Sequence, residues 1–330
     1  MNNKQKKAMW WMLVISILLI SIVLFFLIKD EFKECNDGNT ESEKNALSQA
    51  DINSIYYNGE EYVYNTKIKN ILFLGIDNDE KISINNILGQ SGQADSIMIL
   101  SMDKEHNTTS ILQLSRNAMT EIDLYDNNGN HYATETAQIA TQYAYGNGAN
   151  TSCWATKRTV SELLNDLPIY AYFALDISGV SIINDLIGGV TITIPEDYTE
   201  IDPAFEKGKT ITLNGKQAEK YIRYRDKYLI GGNDLRMQRQ AQYIPALFNS
   251  LQKISDESDE KLEKKFESVM DYMVTDLTAE ELVELLRMDW EMEDIVSVPG
   301  ESVKGEKYEE FYVNEEELEN LLIKMFYKLK

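Results

Sequence analysis

The hydrophobic pattern begins with an unbroken run of uncharged, mostly apolar residues at positions 8–28 (AMWWMLVISILLISIVLFFLI). At about 1.5 Å per helical residue, this run can cross a hydrocarbon core of roughly 30 Å. Lysines precede it and acidic residues follow it, so the positive-inside bias places residues 1–7 in the cytoplasm and the rest outside. A cleaved signal peptide is the alternative, but the run exceeds an ordinary h-region and lacks a small-residue cleavage motif after it. We therefore predict a single-pass cell-membrane anchor.

After the anchor the pattern becomes polar before short apolar runs appear. Residues 29–53 contain few large apolar side chains, which is typical of a flexible segment. We place an extracytoplasmic stalk at 29–65 and one folded domain at 66–330. Three apolar runs of strand length follow, at residues 70–76, 96–102 and 109–114. The turn-prone sequence DKEHN between the last two predicts an antiparallel hairpin.

The second half of the chain alternates strand and helix patterns. Strand-like runs at 170–175 and 190–194 enclose an apolar helical pattern at 178–186, which Gly188 and Gly189 end. Helical periodicity returns after residue 214, over 234–254, 279–288 and 314–327. This alternation predicts an α/β fold.

Composition narrows the classes of function. Lys and Arg total 32 against 54 Asp and Glu, and the pI is near 4.5, so the overall field repels nucleic acid. Only two histidines are present, His106 in the hairpin turn and His131 in a polar loop, which disfavours a catalytic triad or a zinc site. Cys35 lies in the stalk and Cys153 far into the domain, and we interpret both as free thiols.

The predicted hairpin brings a carboxylate and a guanidinium together at its open end. Because its strands are antiparallel, Asp95 lies roughly opposite Arg116, with Asn117 beside it. One interpretation is a surface ion pair, which contributes about 0–1 kcal/mol and has no chemical role. The other is the polar end of a binding site.

Four arginines fall within residues 223–239 of this acidic chain. They are Arg223 and Arg225, on either side of an extended segment, and Arg236 and Arg239, which share a helix face with Gln240. Asn233 is a candidate N-cap, where free backbone N–H groups add to the positive field. Planar guanidinium groups bind phosphate oxygens in pairs, so the cluster indicates an anion site. A network of salt bridges with the many acidic side chains is the alternative.

Six segments occur in a fixed order along the chain. They are NILFLGID at 70–77, GQADSIMILSMD at 92–103, ILQLSRNAMTEI at 111–122, QYAYGNG at 142–148, DISGVSIINDLIGGVTITIPEDY at 176–198, and LNGKQAEKYIRYRD with NDLRMQRQ at 213–226 and 233–240. Together with the anchor and the C-terminal VPGESVKGEKYEEFYVNEEELENLLIKMF, they resemble the LytR-CpsA-Psr family of envelope enzymes over nearly the whole chain.

The resemblance implies a mixed central β-sheet flanked by helices on both faces, an apolar tunnel for a polyprenyl tail, and arginines that hold a diphosphate. It implies an extracytoplasmic phosphotransferase in a Gram-positive-type envelope. This enzyme moves a glycopolymer of teichoic acid or capsule type from undecaprenyl diphosphate to peptidoglycan, with Mg²⁺ or Mn²⁺. Carried over by position, the catalytic residues are Asp95 and Arg116, the metal ligands are Asp95 and Asn117, and the diphosphate ligands are Arg116, Arg223, Arg225, Arg236, Arg239 and Gln240.

Two positions depart from the family pattern. The usual Pro-Arg-Asp is Ser115-Arg116-Asn117 here, so an amide replaces a metal-site carboxylate and we expect weaker cation binding. Many members carry a basic residue where this chain has Gln138. The departures support a second hypothesis, a catalytically weakened polyprenyl-diphosphate-binding protein that regulates envelope synthesis. A third hypothesis is an anchored scaffold without a ligand.

Overall fold

The structure, a computed structural model, describes residues 54–84, 87, 89–125, 130–226, 228–255, 257–287 and 291–330. The predicted cytoplasmic tail at 1–7, the anchor at 8–28 and most of the stalk, with Cys35, lie outside these residues and stay predictions. Within the described part of the chain, no helix is long and apolar enough to cross a membrane.

Strands and helices alternate along the described residues. The strands are β1 (Ser54–Tyr57), β2 (Glu60–Tyr64), β3 (Ile68–Ile76), β4 (Ala94–Asp103), β5 (Thr108–Leu114), β6 (Met119–Tyr125), β7 (His131–Gln138), β8 (Ala171–Asp176), β9 (Val190–Thr193), β10 (Thr210–Leu213), β11 (Met273–Thr275), β12 (Glu291–Ser297), β13 (Gly300–Lys304), β14 (Glu309–Val313) and β15 (Tyr327–Leu329). The helices are α1 (Asn150–Leu163), α2 (Ile177–Leu186), α3 (Gly215–Arg223), α4 (Gly232–Gln252), α5 (Asp259–Met270), α6 (Ala279–Arg287) and α7 (Glu315–Phe326). This alternation confirms the predicted α/β class.

A six-stranded sheet in the order β11-β8-β3-β4-β5-β12 forms the centre of the domain. Its pairs β3/β8 and β5/β12 are parallel, whereas β3/β4, β4/β5 and β8/β11 are antiparallel. The predicted mixed sheet is therefore confirmed. The predicted hairpin is also confirmed, because β4 and β5 are consecutive antiparallel strands with Asp103 opposite Thr108.

The two faces of the sheet pack against different helices. Side chains alternate between faces along a strand, so Leu72 and Leu74 point to one side and Phe73 to the other. The first face packs against α1 and α7, through residues such as Val160 and Leu322. The second face packs against α2, α3 and α4. Helices thus cover both faces, and the arginine-rich segment lies on the second.

Several elements differ from the sequence prediction. The chain from Ser54 to Tyr64, which we assigned to the stalk, forms β1 and β2, and β2 pairs with the C-terminal β15. A strand more than 260 residues away in sequence completes this small sheet, which no local pattern reveals. His131 begins β7 instead of lying in a loop, because β7 pairs with β6 in a hairpin. Cys153 is a buried free thiol, as predicted.

Candidate functional site

An apolar cavity lies between the second face of the sheet and helices α2 and α4. Its volume is about 710 Å³, including the open mouth. The walls are apolar and include Phe73, Met98, Leu175, Val180, Ile183 and Leu247. At one end the lining changes to the polar groups of Asp77, Asp95, Arg223, Arg236 and Gln240. The lining therefore suits a molecule that has an apolar part next to a charged head.

Asp95 lies at the polar end and is held by two arginines. One carboxylate oxygen, Oδ1, lies 2.8 Å from Arg116 Nε, and the other, Oδ2, accepts a hydrogen bond of 2.8 Å from Arg236 Nη1. Arg236 Nη2 also donates to the backbone oxygen of Asp95 at 2.7 Å. Asp95 is 27% exposed, while both arginines are buried. The predicted pairing of Asp95 with Arg116 is thus present, and it is not a surface ion pair.

The charges at this end determine the protonation state of Asp95. Burial by itself favours the neutral acid, but Arg116 and Arg236 outweigh it and hold the pKa of Asp95 below its ordinary value. Burial lowers the pKa of Arg236 to about 10 although Asp95 opposes that change. At neutral pH all three groups are charged, and the two buried guanidinium groups exceed the one carboxylate. The excess positive charge suits an anionic ligand.

Arg223 and Arg225 come from the end of α3. Tyr224 has an extended backbone there, so the helix stops between the two arginines. Arg223 Nη2 donates to Asp77 at 2.6 Å, and Nη1 lies 3.3 Å from both Asp79 and Glu219. Among the residues that the structure describes, Arg225 has no ion-pair partner. Its charge nevertheless helps to lower the pKa of Asp95, so it lies close to the same site.

Arg236, Arg239 and Gln240 share one face of α4 by their spacing, but they do not all line the cavity. Arg236 and Gln240 line the cavity, and Gln240 accepts a hydrogen bond of 3.3 Å from the Ser96 hydroxyl. Arg239 is absent from the described lining, because its guanidinium donates to the backbone oxygens of Tyr221 and Tyr224. It therefore holds the end of α3, which positions Arg223 and Arg225.

Asn233 is not the N-cap of α4. The helix begins at Gly232 after the left-handed Gly231, whose positive φ of 79° suits glycine. The Asn233 side chain instead accepts from Arg236 Nη2 at 2.8 Å and donates to the Ser115 hydroxyl at 3.0 Å. Asn233 thus links Arg236 of α4 to the loop that carries Arg116.

Asn117 lies behind the cavity and does not line it. Its Oδ1 accepts from Gln138 Nε2 at 3.1 Å and from Arg116 Nη1 at 3.4 Å, and the residue is 1% exposed. Two donors thus already reach this amide oxygen, and whether Asn117 binds a metal ion stays a prediction. Asp77 and Asp95 are the carboxylates that face the cavity, and carboxylates are the protein ligands that Mg²⁺ uses together with substrate phosphates.

Asp77 ends the NILFLGID segment, and the sequence alone assigns it no role. It follows β3 directly, and its backbone N–H donates to Gln93 at 3.1 Å, two residues before Asp95. Because β3 and β4 are antiparallel neighbours, a carboxylate just after one and another at the start of the next must meet. The position of Asp77 at the strand end was the signal that could have found it.

The fold and the site define a class of protein, an α/β domain that encloses an apolar cavity and closes it with arginines and carboxylates. A model of the LytR_cpsA_psr family matches residues 26–326. The chain therefore belongs to the LytR-CpsA-Psr family, as the sequence motifs predicted.

Curated relatives of this chain are named as teichoic acid transferases. The chain is 28% identical over 210 residues to the polyisoprenyl-teichoic acid–peptidoglycan teichoic acid transferase TagV of Bacillus subtilis strain 168, a match that covers 60% of this chain and 48% of the relative. It is 28% identical over 211 residues to TagU of the same strain, covering 63% and 60%. The chain thus spans about half to three fifths of the length of these relatives.

Solved structures share the fold. Bacillus subtilis TagV aligns with a TM-score of 0.59 at 23% identity, over 78% of this chain and 95% of the other. TagT bound to LI-WTA aligns with a TM-score of 0.58 at 18% identity, over 82% and 94%. Protein gbs0355 of Streptococcus agalactiae reaches 0.62 at 22% identity, over 78% and 88%. At these identities the similarity establishes the mixed α/β architecture alone.

Proposed function

We propose that this chain is an extracytoplasmic transferase that attaches a glycopolymer of teichoic acid or capsule type to peptidoglycan, from a polyprenyl-diphosphate donor. The observation that carries the proposal is the cavity, whose apolar walls end at Asp95 between the buried Arg116 and Arg236. The apolar part suits a polyprenyl chain and the arginines suit a diphosphate. The names of the relatives agree with this substrate class.

In the proposed reaction, a peptidoglycan hydroxyl oxygen bonds to the phosphorus that carries the glycan. The phosphoanhydride bond to the polyprenyl phosphate breaks, and that phosphate leaves with the bonding electrons. Arg116, Arg225 and Arg236 neutralise the charge on the diphosphate, with Arg223 and Gln240 at the edge. Asp95 accepts the hydroxyl proton. Its low pKa makes it a weak base, which suits a loose phosphoryl-transfer transition state that depends mainly on positioning and charge neutralisation.

We further propose that Mg²⁺ or Mn²⁺ binds at the polar end, with Asp95 and Asp77 as its protein ligands. Among the described residues no group of three or more His, Cys, Asp or Glu could hold a metal by itself. Phosphate oxygens of the donor would therefore complete the ligand set, as is common for Mg²⁺. When bound, the ion would neutralise phosphate charge. The predicted anchor at residues 8–28 would keep the cavity near the membrane that holds the donor.

Transfer can be tested with the full-length protein in nanodiscs. A short glycan on polyprenyl diphosphate, a peptidoglycan fragment and Mg²⁺ should give a glycan–peptidoglycan adduct and free polyprenyl phosphate, both detected by mass spectrometry. Asp95→Asn should lower the rate at least about a hundredfold, the scale of a lost acid–base group. No adduct, with an active relative tested in parallel, would contradict the proposal.

A second candidate is a binding protein that retains polyprenyl diphosphate and regulates envelope synthesis without turnover. The observation in its favour is that both oxygens of Asp95 are already paired with arginines, which weakens it as a base. This protein would co-purify with polyprenyl diphosphate and give no adduct in the transfer assay. Co-purified lipid together with adduct formation supports the enzyme instead.

A further inference from the structure

The loop that carries Arg116 is joined to helix α4 by two chains of hydrogen bonds. In the first, Ser115 Oγ accepts from Asn233, and Asn233 accepts from Arg236. In the second, Asn117 accepts from Gln138, and Gln138 Nε2 also donates to the backbone oxygen of Glu309 at 2.7 Å. The side chain of Glu309 then accepts from the backbone N–H of Gly231, directly before α4, at 2.8 Å.

The second chain contains a contact between two buried neutral amides. Donors on two sides, Gln138 Nε2 and Arg116 Nη1, fix the orientation of the Asn117 amide, because its NH₂ group could not accept either bond. The Asn117 backbone oxygen is also fixed, since it accepts from Phe311 N at 2.9 Å. Asn117 Oδ1 is thus an acceptor with two donors behind the Arg116 guanidinium, while Asn117 Nδ2 is buried without a hydrogen-bond partner among the described residues.

We propose that Asn117 and Gln138 form a charge-neutral pair that positions Arg116 for the diphosphate, and that Asn117 is not a metal ligand. This inference rests on the proposed function for the identity of the ligand. Arg116 Nε then faces Asp95 while its Nη1 is held by Asn117. Asn117 and Gln138 touch neither the cavity nor the reacting atoms, so they are positioning residues.

Because the pair is buried and neutral, charged substitutions at positions 117 and 138 should have predictable effects. Asn117→Asp would place a carboxylate at a site that is 1% exposed, with Gln138 as its neighbour. Gln138→Lys would bury an ammonium group beside an amide. Gln138→Lys alone leaves an unpaired buried ammonium group, and Asn117→Asp alone adds a second carboxylate to Arg116, which already pairs with Asp95, whereas both changes together create an ion pair at the contact between positions 117 and 138. The two positions that depart from the family pattern are therefore one coupled unit.

A double-mutant cycle on the full-length protein tests the pair. Asn117→Asp, Gln138→Lys and the double variant are compared in thermal unfolding without ligand and in the affinity for farnesyl diphosphate, with and without Mg²⁺. We expect each single change to lower the melting temperature and to weaken binding about tenfold, and the double variant to recover to within about threefold. The Mg²⁺ concentration for half-maximal binding should stay the same in all four proteins.

Asn70→Asp is the matched control, because Asn70 is also 1% exposed and hydrogen-bonded, but at the opposite end of β3. The Asn70→Asp variant should have a lower melting temperature and an unchanged affinity for farnesyl diphosphate. Adding Gln138→Lys should not restore its melting temperature. If the charged single variants do not fold, Gln138→Met removes the donor to Asn117 without adding charge, and it should still weaken binding.

Two results would overturn the inference. Additive losses in the double variant would show that the residues are not coupled. Tighter binding, or a lower Mg²⁺ requirement, in Asn117→Asp alone would make position 117 a metal site. If the unsubstituted protein does not bind farnesyl diphosphate, the proposed function fails, while the thermal cycle still shows whether the pair is coupled.

Discussion

Asp95 and Asp176 lie at the same end of the central sheet, on the two strands that flank β3. The pKa values of their carboxyl groups are nevertheless shifted in opposite directions. Both strands meet β3 at Ile76, which pairs with Ala94 on one side and with Asp176 on the other. The pKa of Asp95 is lowered, because Arg116 and Arg236 outweigh its burial. The pKa of Asp176 is raised to about 7 by burial, since the hydrogen bond from Asn78 and its other neighbours provide no positive charge.

The comparison shows that burial alone does not decide ionisation. Asp176 is only 1% exposed, and burial raises the pKa values of Tyr143 and Cys153 near it, with a smaller contribution from the charge of Asp176. Asp95 faces the cavity and two guanidinium groups. The arginines keep a carboxylate ionised in a partly apolar site. The partners of the two carboxyl groups, not their burial, account for the opposite directions of their pKa shifts.

The strongest test of this difference removes one arginine from Asp95. Arg236→Met leaves a largely buried carboxylate with Arg116 as its remaining ion-pair partner, so we expect the free energy of unfolding at pH 7 to fall by about 3–5 kcal/mol. Urea unfolding measures this loss. Arg223→Met is the control, because its ion pairs with Asp77 and Asp79 are exposed and should contribute about 1 kcal/mol or less. Equal losses in the two variants would contradict the role of burial.

The second test concerns pH and Asp176. Folding raises the pKa of this group from 3.8 to about 7, so the folded protein keeps a proton that the unfolded chain has released. The free energy of unfolding therefore falls as pH rises from about 4 through about 7. Asp176→Asn retains an acceptor for Asn78 and removes this dependence.

We expect Asp176→Asn to match the unsubstituted protein near pH 4 and to exceed its stability by up to about 4 kcal/mol at pH 8, from about 1.4 kcal/mol per pKa unit. Urea unfolding across this range gives the difference directly. Parallel stability curves for the two proteins would mean that Asp176 ionises normally in the fold.

The third test, with the smallest expected effect, compares Arg239 and Arg225 in their contributions to stability and to binding. Arg239→Gln should lower the free energy of unfolding by about 2 kcal/mol, because the hydrogen bonds from Arg239 to the backbone oxygens of Tyr221 and Tyr224 are lost. Arg225→Gln should change stability by about 0.5 kcal/mol or less. Farnesyl diphosphate affinity, measured by calorimetry, should fall more in Arg225→Gln than in Arg239→Gln. The reverse order would place Arg239 in the binding site.

Part of the site was predictable because it depends on local geometry. Antiparallel pairing of two apolar runs joined by DKEHN was enough to place Asp95 beside Arg116. Residue spacing on α4 could place Arg236, Arg239 and Gln240 on one face, but it could not show that Arg239 turns to the carbonyl groups of α3. That choice depends on how the two helices pack.

The amino-acid sequence by itself determined the α/β alternation, the acidic surface, the hairpin and the family, because these depend on residue type and on short-range periodicity. Only the tertiary structure decided the cavity, the contact between the neutral side chains of Asn117 and Gln138, and the opposite pKa shifts of Asp95 and Asp176. Gln138 reaches Glu309 across 171 residues, and Arg236 reaches Asp95 across 141. The pKa of a carboxyl group and the hydrogen bonds of an amide depend on such neighbours, which come together only when the sheet and helices are packed.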